Sequence, residues 1–143
     1  MDANEFVLAC LSTGNRELFS PVQVQKMFFL FDKEIPKETG GPFFNFIPYN
    51  YGPFDSKVYS ILNELSYKGY VEIFNIKNWK EYKLTNLGQE LGEKHLKELP
   101  ELIKDYITDV VKFVRDLSFT DLVCTIYKHY PEMKENSVFR DKQ

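Results

Sequence analysis

The sequence predicts a mainly α fold of the α+β class: a winged helix-turn-helix-like core with one small antiparallel β-hairpin and additional C-terminal helices. Three observations lead there. Apolar residues recur at helical spacing over most of the chain. Period-two alternation is confined to "YVEIF" and "EYKLT", on either side of the short polar stretch "NIKNWK". The resulting order is helix, helix, loop, helix, strand, strand and three helices, which is the element order of a winged helix followed by an extension. The chain has 143 residues, enough for one domain with one core. We place the core at about 18–92 and the helical extension at about 93–135.

In "NEFVLACLSTGN", Phe6, Val7, Cys10 and Leu11 fall on one helical face, with Gly14 as the stop. Ser20 before Pro21 is an N-cap followed by a first-turn proline. Val24, Met27, Phe28 and Phe31 then recur at three and four, which leaves Gln23, Lys26 and Lys33 for the outer side. "IPKETGGPFF" reads as a loop, because two prolines and Gly40-Gly41 break regular structure. "FFNFIPY" reads as a short extended segment that Pro48 confines to an edge.

Gly52-Pro53 marks a turn and Asp55 an N-cap. Val58, Ile61, Leu62 and Leu65 form the next stripe, which ends at Gly69. The two alternating segments follow as the hairpin. Thr85 caps a helix whose stripe of Leu87, Leu91 and Leu96 is weakened by Gly88 and Gly92. With Pro100 in its first turn, the next helix carries Ile103, Tyr106, Ile107, Val110, Val111, Val114 and Leu117. That stripe, Leu99 to Leu117, suits a central core position or a homodimer seam, the core being favoured. A last helix starts at Ser118 or Thr120, buries Leu122, Val123, Ile126 and Tyr127, and gives way at Pro131. The charged tail "FRDKQ" is expected to fray.

Composition excludes several classes of function. A net charge of -3 argues against a general nucleic-acid binder. The N-terminal stretch lacks a basic region and a long apolar run, so no signal peptide is expected, and no segment approaches the roughly 20 apolar residues of a membrane helix. The expected location is the cytoplasm. Cys10 and Cys124 form no CxxC pair, so we expect two reduced core thiols and no zinc site. Gly40-Gly41 lacks the spacing of a phosphate loop. Asp105 and Asp109 share a helix face with no histidine beside them, and His95 and His129 stand alone among lysines, so neither set makes a metal or catalytic site.

Two groups of residues are candidates for contact with a partner. The outward face of the helix after Asp55 carries Lys57, Ser60, Asn63, Glu64 and Tyr67. A reader of the major groove wants Arg, Asn or Gln backed by phosphate-binding cations. Only Lys57, Asn63 and Lys68 fit and Glu64 opposes them, so a solvated face or a protein contact is favoured. The second group is the wing tip, Lys77, Asn78, Trp79 and Lys80. It suits a DNA groove, a protein hot spot, or a Trp folded back on its own hairpin, and all three stay open. The Tyr51-Gly52-Pro53-Phe54 stretch reads as a backbone turn rather than a ligand motif, with Tyr51 and Phe54 packing against the helix of Met27 and Phe28.

The motifs Val24-Gln25-Lys26, Tyr51-Gly52-Pro53, Gly69-Tyr70-Val71 and Tyr82-Lys83-Leu84-Thr85 with Gly88 together resemble one known family, the Panacea or SocA-like antitoxin domain. The resemblance runs from about Pro21 to Leu91 and extends toward Phe139. It implies a non-enzymatic domain with no cofactor, of the kind encoded by phages and plasmids beside a toxin that it neutralises. A protein partner from an adjacent gene follows, bound as by an antitoxin or an adaptor. The alternative is a winged-helix transcriptional regulator that binds DNA.

Overall fold

The computed structural model describes residues 1–139. Helix α1 (Ala3–Ser12) opens with a reciprocal capping box, in which Glu5 N donates to Asp2 Oδ1 and Asp2 N to Glu5 Oε1, both at 2.8 Å. Helix α2 (Pro21–Glu34) starts the same way, Ser20 and Gln23 capping each other. Pro21 sits where its missing N–H costs nothing.

α2 has no solvent face along its middle: Val24 through Phe29 are all buried. Phe6 of α1 packs edge-on against Phe28 and Phe31, Phe43 stacks on Phe6, Phe44 packs on Phe28, and Phe46 packs on Phe29 and Phe44. Lys26 therefore does not lie on the outer side, as periodicity suggests. It is 3% exposed, because elements distant in sequence cover the face it would share with water.

The segment after α2 is not wholly a loop. Pro36–Thr39 forms a one-turn helix, α3, with Pro36 at its first position and Gly40 at φ 88 closing it. Asp32 then anchors the chain, accepting from Phe43 N and Phe44 N at 2.9 Å each. Burial holds the Asp32 carboxyl above its usual range, against those two bonds.

There are two hairpins where the sequence predicts one. Strand β1 (Ile47–Tyr49) pairs antiparallel with β2 (Gly52–Phe54), so Asn50-Tyr51 forms the turn and Gly52-Pro53 belongs to a strand. Pro48 and Pro53 stand directly opposite each other. Neither has an N–H, so they fit as a pair that exchanges no ladder bonds in a ribbon that is all edge. The extended edge segment expected around Pro48 is β1, while Gly52-Pro53, read as a turn, concealed β2.

Helix α4 (Ser56–Tyr67) starts at Asp55, whose Oδ1 accepts from Lys57 N, and ends where Gly69 takes φ 87. The expected hairpin follows. β3 (Val71–Ile76) pairs with β4 (Trp79–Leu84) from Val71↔Leu84 to Ile76↔Trp79. Its turn is only Lys77-Asn78, Lys77 having φ 50. Trp79 is therefore a strand residue rather than part of a longer tip.

Helix α5 (Asn86–Leu96) begins at Thr85, which accepts from Gly88 N and donates to Gly69 O. Its buried face is Gly88, Gly92 and His95, whereas Leu87 of the predicted stripe is 60% exposed. The glycines let α5 lie against other backbone. A Cβ on Gly88 would stand 1.9 Å from Tyr70 O, and one on Gly92 2.4 Å from Leu8 O. His95 is not isolated either: its Nδ1 lies 3.5 Å from carboxylates of Glu5 and Glu98.

Helix α6 (Glu101–Asp116) buries Ile107, Val111 and Val114 against α1 and α2, while Leu102 and Phe113 face outward. Helix α7 (Phe119–His129), capped by Ser118, buries Leu122, Val123, Ile126 and Tyr127. A 3₁₀ turn, Pro131–Lys134, follows. Seven helices and two small antiparallel hairpins are thus present among the described residues. No helix among them is long and apolar enough to cross a membrane, and no disulfide joins Cys10 and Cys124. The expected fraying from Arg140 onward lies outside the described residues.

Candidate functional site

The β1–β2 hairpin, the N-terminal half of α2, Tyr59 of α4, Trp79 and Glu81 of β4 and Phe119 of α7 surround a cleft of about 690 Å³. Its walls are largely aromatic. Tyr49 packs on Phe54 at 4.8 Å between ring centroids, Phe54 on Tyr59 at 5.8 Å, and Tyr51 edge-on against Phe119 at 5.2 Å. β2 packs on α2, the helix of Met27 and Phe28, as expected, while the rings of Tyr51 and Phe54 find their aromatic partners on α7, β1 and α4. Trp79 is 45% exposed on the wall and donates its indole N–H to Glu81 Oε2 at 2.9 Å, two residues on along the same strand face. That bond fixes the ring against the hairpin while leaving a face open to the cleft.

Two polar side chains of α2 underlie this aromatic wall. The Gln25 carboxamide, 2% exposed, donates to Asp55 O and accepts from Asp55 N, both at 3.0 Å. It stands in for a neighbouring strand, holding the chain at the exit of β2. Asp55 accepts from Asn45 N through its other oxygen, so one aspartate caps α4 and ties down the strand approach to β1. Tyr59, also beside Gln25, has its phenol pushed up by burial, with a Gln25 hydrogen bond acting the other way.

Lys26 is the unusual group. Its Nζ has one contact, 3.5 Å to Pro53 O. A Cβ built on Gly52 would lie in ordinary contact with Lys26 Cε and Nζ and with Tyr127, at 3.4–3.5 Å, so the amine passes directly under the hairpin. Burial lowers the Lys26 pKa to about 7, since the ammonium has exchanged water for aromatic and aliphatic neighbours.

The motif residues therefore gather into two structural sets. Gln25, Lys26, Tyr51, Gly52, Pro53 and Asp55 build the cleft. Gly69, Thr85 and Gly88 join β3 to α5 through the two bonds of Thr85. A match to the family model for the antitoxin SocA-like, Panacea domain covers residues 24–131. The chain belongs to that family. Neither a curated protein nor a solved structure matches it. The Panacea match takes in nearly all of the cleft, from Gln25 through Phe119, and both motif sets.

The candidate contact residues do not converge. Lys57 is drawn back, its Nζ donating to Phe43 O at 2.8 Å and lying over the Phe44 ring. Ser60 bonds to Ser56 O within its own helix. Asn63 is exposed, and Glu64 pairs with Lys68 at 3.1 Å, which holds its carboxyl below the usual range. Tyr67 is 93% exposed. None of these lines the cleft, and of the wing residues only Trp79 does; Lys77, Asn78 and Lys80 are exposed beside it. The sequence reading misses Lys26 as a buried cation, along with Tyr49, Tyr59, Glu81 and Phe119 as cleft walls. A signal for Lys26 is present: Val22, Phe29 and Leu30, its neighbours at four before and three and four after, are all apolar. Asp105 and Asp109 are exposed, and no cluster of three potential metal ligands occurs among the described residues.

Proposed function

We propose that this Panacea-domain chain is a cytoplasmic, non-enzymatic antitoxin that binds a toxin encoded by an adjacent gene, and that the cleft between the β1–β2 hairpin and Trp79 is its contact surface. The observation that carries the reading is Trp79. It is the one tryptophan in the sequence, it is half-exposed on an aromatic wall, and a single hydrogen bond to Glu81 sets its orientation. A preoriented tryptophan beside Tyr51 and Phe54 has the character of an interface hot spot, since rigid rings lose little entropy on docking.

Recognition fits this cleft better than reaction does. Chemistry at an amine needs a second acid or base within reach. Here Glu81 is engaged by Trp79, Tyr127 donates to Ser137 at 2.6 Å, and Asp55 is occupied by two backbone N–H groups.

We also read α1, α2, α4 and the β3–β4 hairpin as a winged-helix-like arrangement with α4 in the recognition position. DNA binding is the weaker use of it. Lys57 and Lys68 are already engaged, leaving Asn63 and the wing lysines Lys77 and Lys80 to attract phosphate on a chain of net charge -3.

Co-expression with the product of each neighbouring open reading frame tests the proposal. One product should be toxic alone, harmless with this chain, and should co-purify with it. If no neighbouring product is toxic or retained, the antitoxin reading fails.

A further inference from the structure

An ammonium group carries three N–H donors. Lys26 Nζ uses them on a single 3.5 Å contact to Pro53 O, and none of the ion pairs among the described residues includes it. The nearby carboxylates have other partners, Asp55 the backbone of Asn45 and Lys57, and Glu81 the indole of Trp79. A cation that is only 3% exposed and lacks a counter-charge is costly to the fold, and an apolar side chain would fill the same space at lower cost. The group also lies on the surface of the cleft. A buried cation lining an aromatic cleft has the complement of an anion set in an apolar segment.

We infer that Lys26 is the charge-reading point of this cleft, and that it takes the side-chain carboxylate of an Asp or Glu flanked by apolar residues in the partner protein. The inference rests on the cleft being the partner surface. Tyr51, Phe54 and Trp79 hold the flanking apolar residues, and the carboxylate supplies the counter-charge that Lys26 lacks. A chain-terminal carboxylate fits less well. Its capture uses clustered backbone N–H groups. Pro21 and Pro53 on these walls have none, and Gln23 N is already taken by Ser20.

Trp79, as the sole tryptophan, reports occupancy of the cleft by fluorescence. Three probes separate the possibilities: the pentapeptide Leu-Phe-Glu-Ser-Phe blocked at both ends, its Gln analogue blocked likewise, and that Gln analogue with a free C-terminus. The blocked Glu peptide should bind at least about tenfold more tightly than either Gln peptide. That preference should vanish in Lys26→Met and in Lys26→Gln, with circular dichroism confirming that both variants are folded. Equal affinity for all three peptides, a preference for the free terminus, a Glu preference that survives in both variants, or no binding of any peptide at millimolar concentration would each overturn the inference. Discrimination among peptides is measured without any toxin, so it stands or falls separately from co-purification with a neighbouring product.

Discussion

Gln25 and Asp55, thirty residues apart in sequence, exchange two 3.0 Å hydrogen bonds, the carboxamide of one serving as strand partner to the backbone of the other. The pair joins the central helix α2 to the point where the β1–β2 hairpin passes into α4. Everything on the aromatic wall of the cleft is placed relative to that junction. Gln25→Leu keeps the volume and removes both partners, leaving the Asp55 N–H and C=O to find water or go without. We expect a loss of about 2–4 kcal/mol in urea unfolding, since each stranded buried polar group costs about 1–3 kcal/mol. Retention of wild-type stability would mean that Asp55 is held by something else.

Lys26 should behave in the opposite way. Its folded-state pKa of about 7 lies below the ordinary 10.5, so the unfolded chain holds the proton more tightly. Below pH 7 both states are protonated and the fold carries the full cost of the buried charge. Between about 7 and 10.5 the unfolded state binds more protons, so this group makes stability rise with pH. Lys26→Met should stabilise the fold at pH 6 by roughly 2–5 kcal/mol, because a tenfold weaker hold on the proton corresponds to about 1.4 kcal/mol. It should also flatten that rise, read as urea midpoints from about pH 6 to 9.5. The titratable groups around the cleft and hairpin that enclose Lys26 include Asp55, Glu81 and the phenols of Tyr49, Tyr51, Tyr59, Tyr82 and Tyr127. Burial pushes up the phenols of Tyr59, Tyr82 and Tyr127, Tyr82 to about 12, so these hold their protons over this range. A Met variant less stable than wild type at pH 6 would show that Lys26 is well solvated or paired.

Gly88→Ala and Gly92→Ala should both destabilise. On an open helix surface such a change gains up to about 1 kcal/mol. Here the new methyl would meet Tyr70 O or Leu8 O well inside contact distance, and both obstacles are backbone. Overpacking of this kind costs about 1–3 kcal/mol or more. Thermal unfolding should show a lower Tm for each; a raised Tm for either would mean that α5 stands off from its neighbours.

Trp79→Ala should leave stability within about 1 kcal/mol, because the ring is half-exposed and its bond to Glu81 lies on the surface. Its effect on the partner complex should be large, at least about 2 kcal/mol in binding free energy, read from Kd. Lys77→Glu combined with Lys80→Glu should leave that complex intact, since neither lysine lines the cleft. If the double charge reversal abolished the partner complex while Trp79→Ala did not, the contact would lie on the wing tip instead.

Helices were the legible part of this sequence, and their limits were legible wherever a cap did the work: Ser20, Asp55, Thr85 and Ser118 each accept the backbone bond expected of them. What periodicity could not convey was cover supplied from far along the chain. Lys26 reads as outward because α2 alone leaves it there; the β1–β2 hairpin and Tyr127 enclose it. Leu87 reads as inward because leucine usually is, yet α5 docks through its glycines, which carry no hydropathy signal. The extended segment around Pro48 was legible as an edge, but its partner strand hid behind Gly52-Pro53, a turn signal alone and in the structure the cross-strand mate of Pro48. The site divided in the same way. Trp79 stood out as the one tryptophan, whereas Tyr49, Tyr59 and Phe119 became walls only through tertiary packing.

The most direct test of the cleft as partner surface is hydrogen exchange on the chain, free and bound to the toxic neighbouring product that it neutralises. New protection is expected over residues 49–54 and 79–82, with α4 outward positions such as Asn63 and Tyr67 exchanging as before. Protection confined to residues 56–68, with the β1–β2 hairpin and Trp79 unchanged, would contradict it.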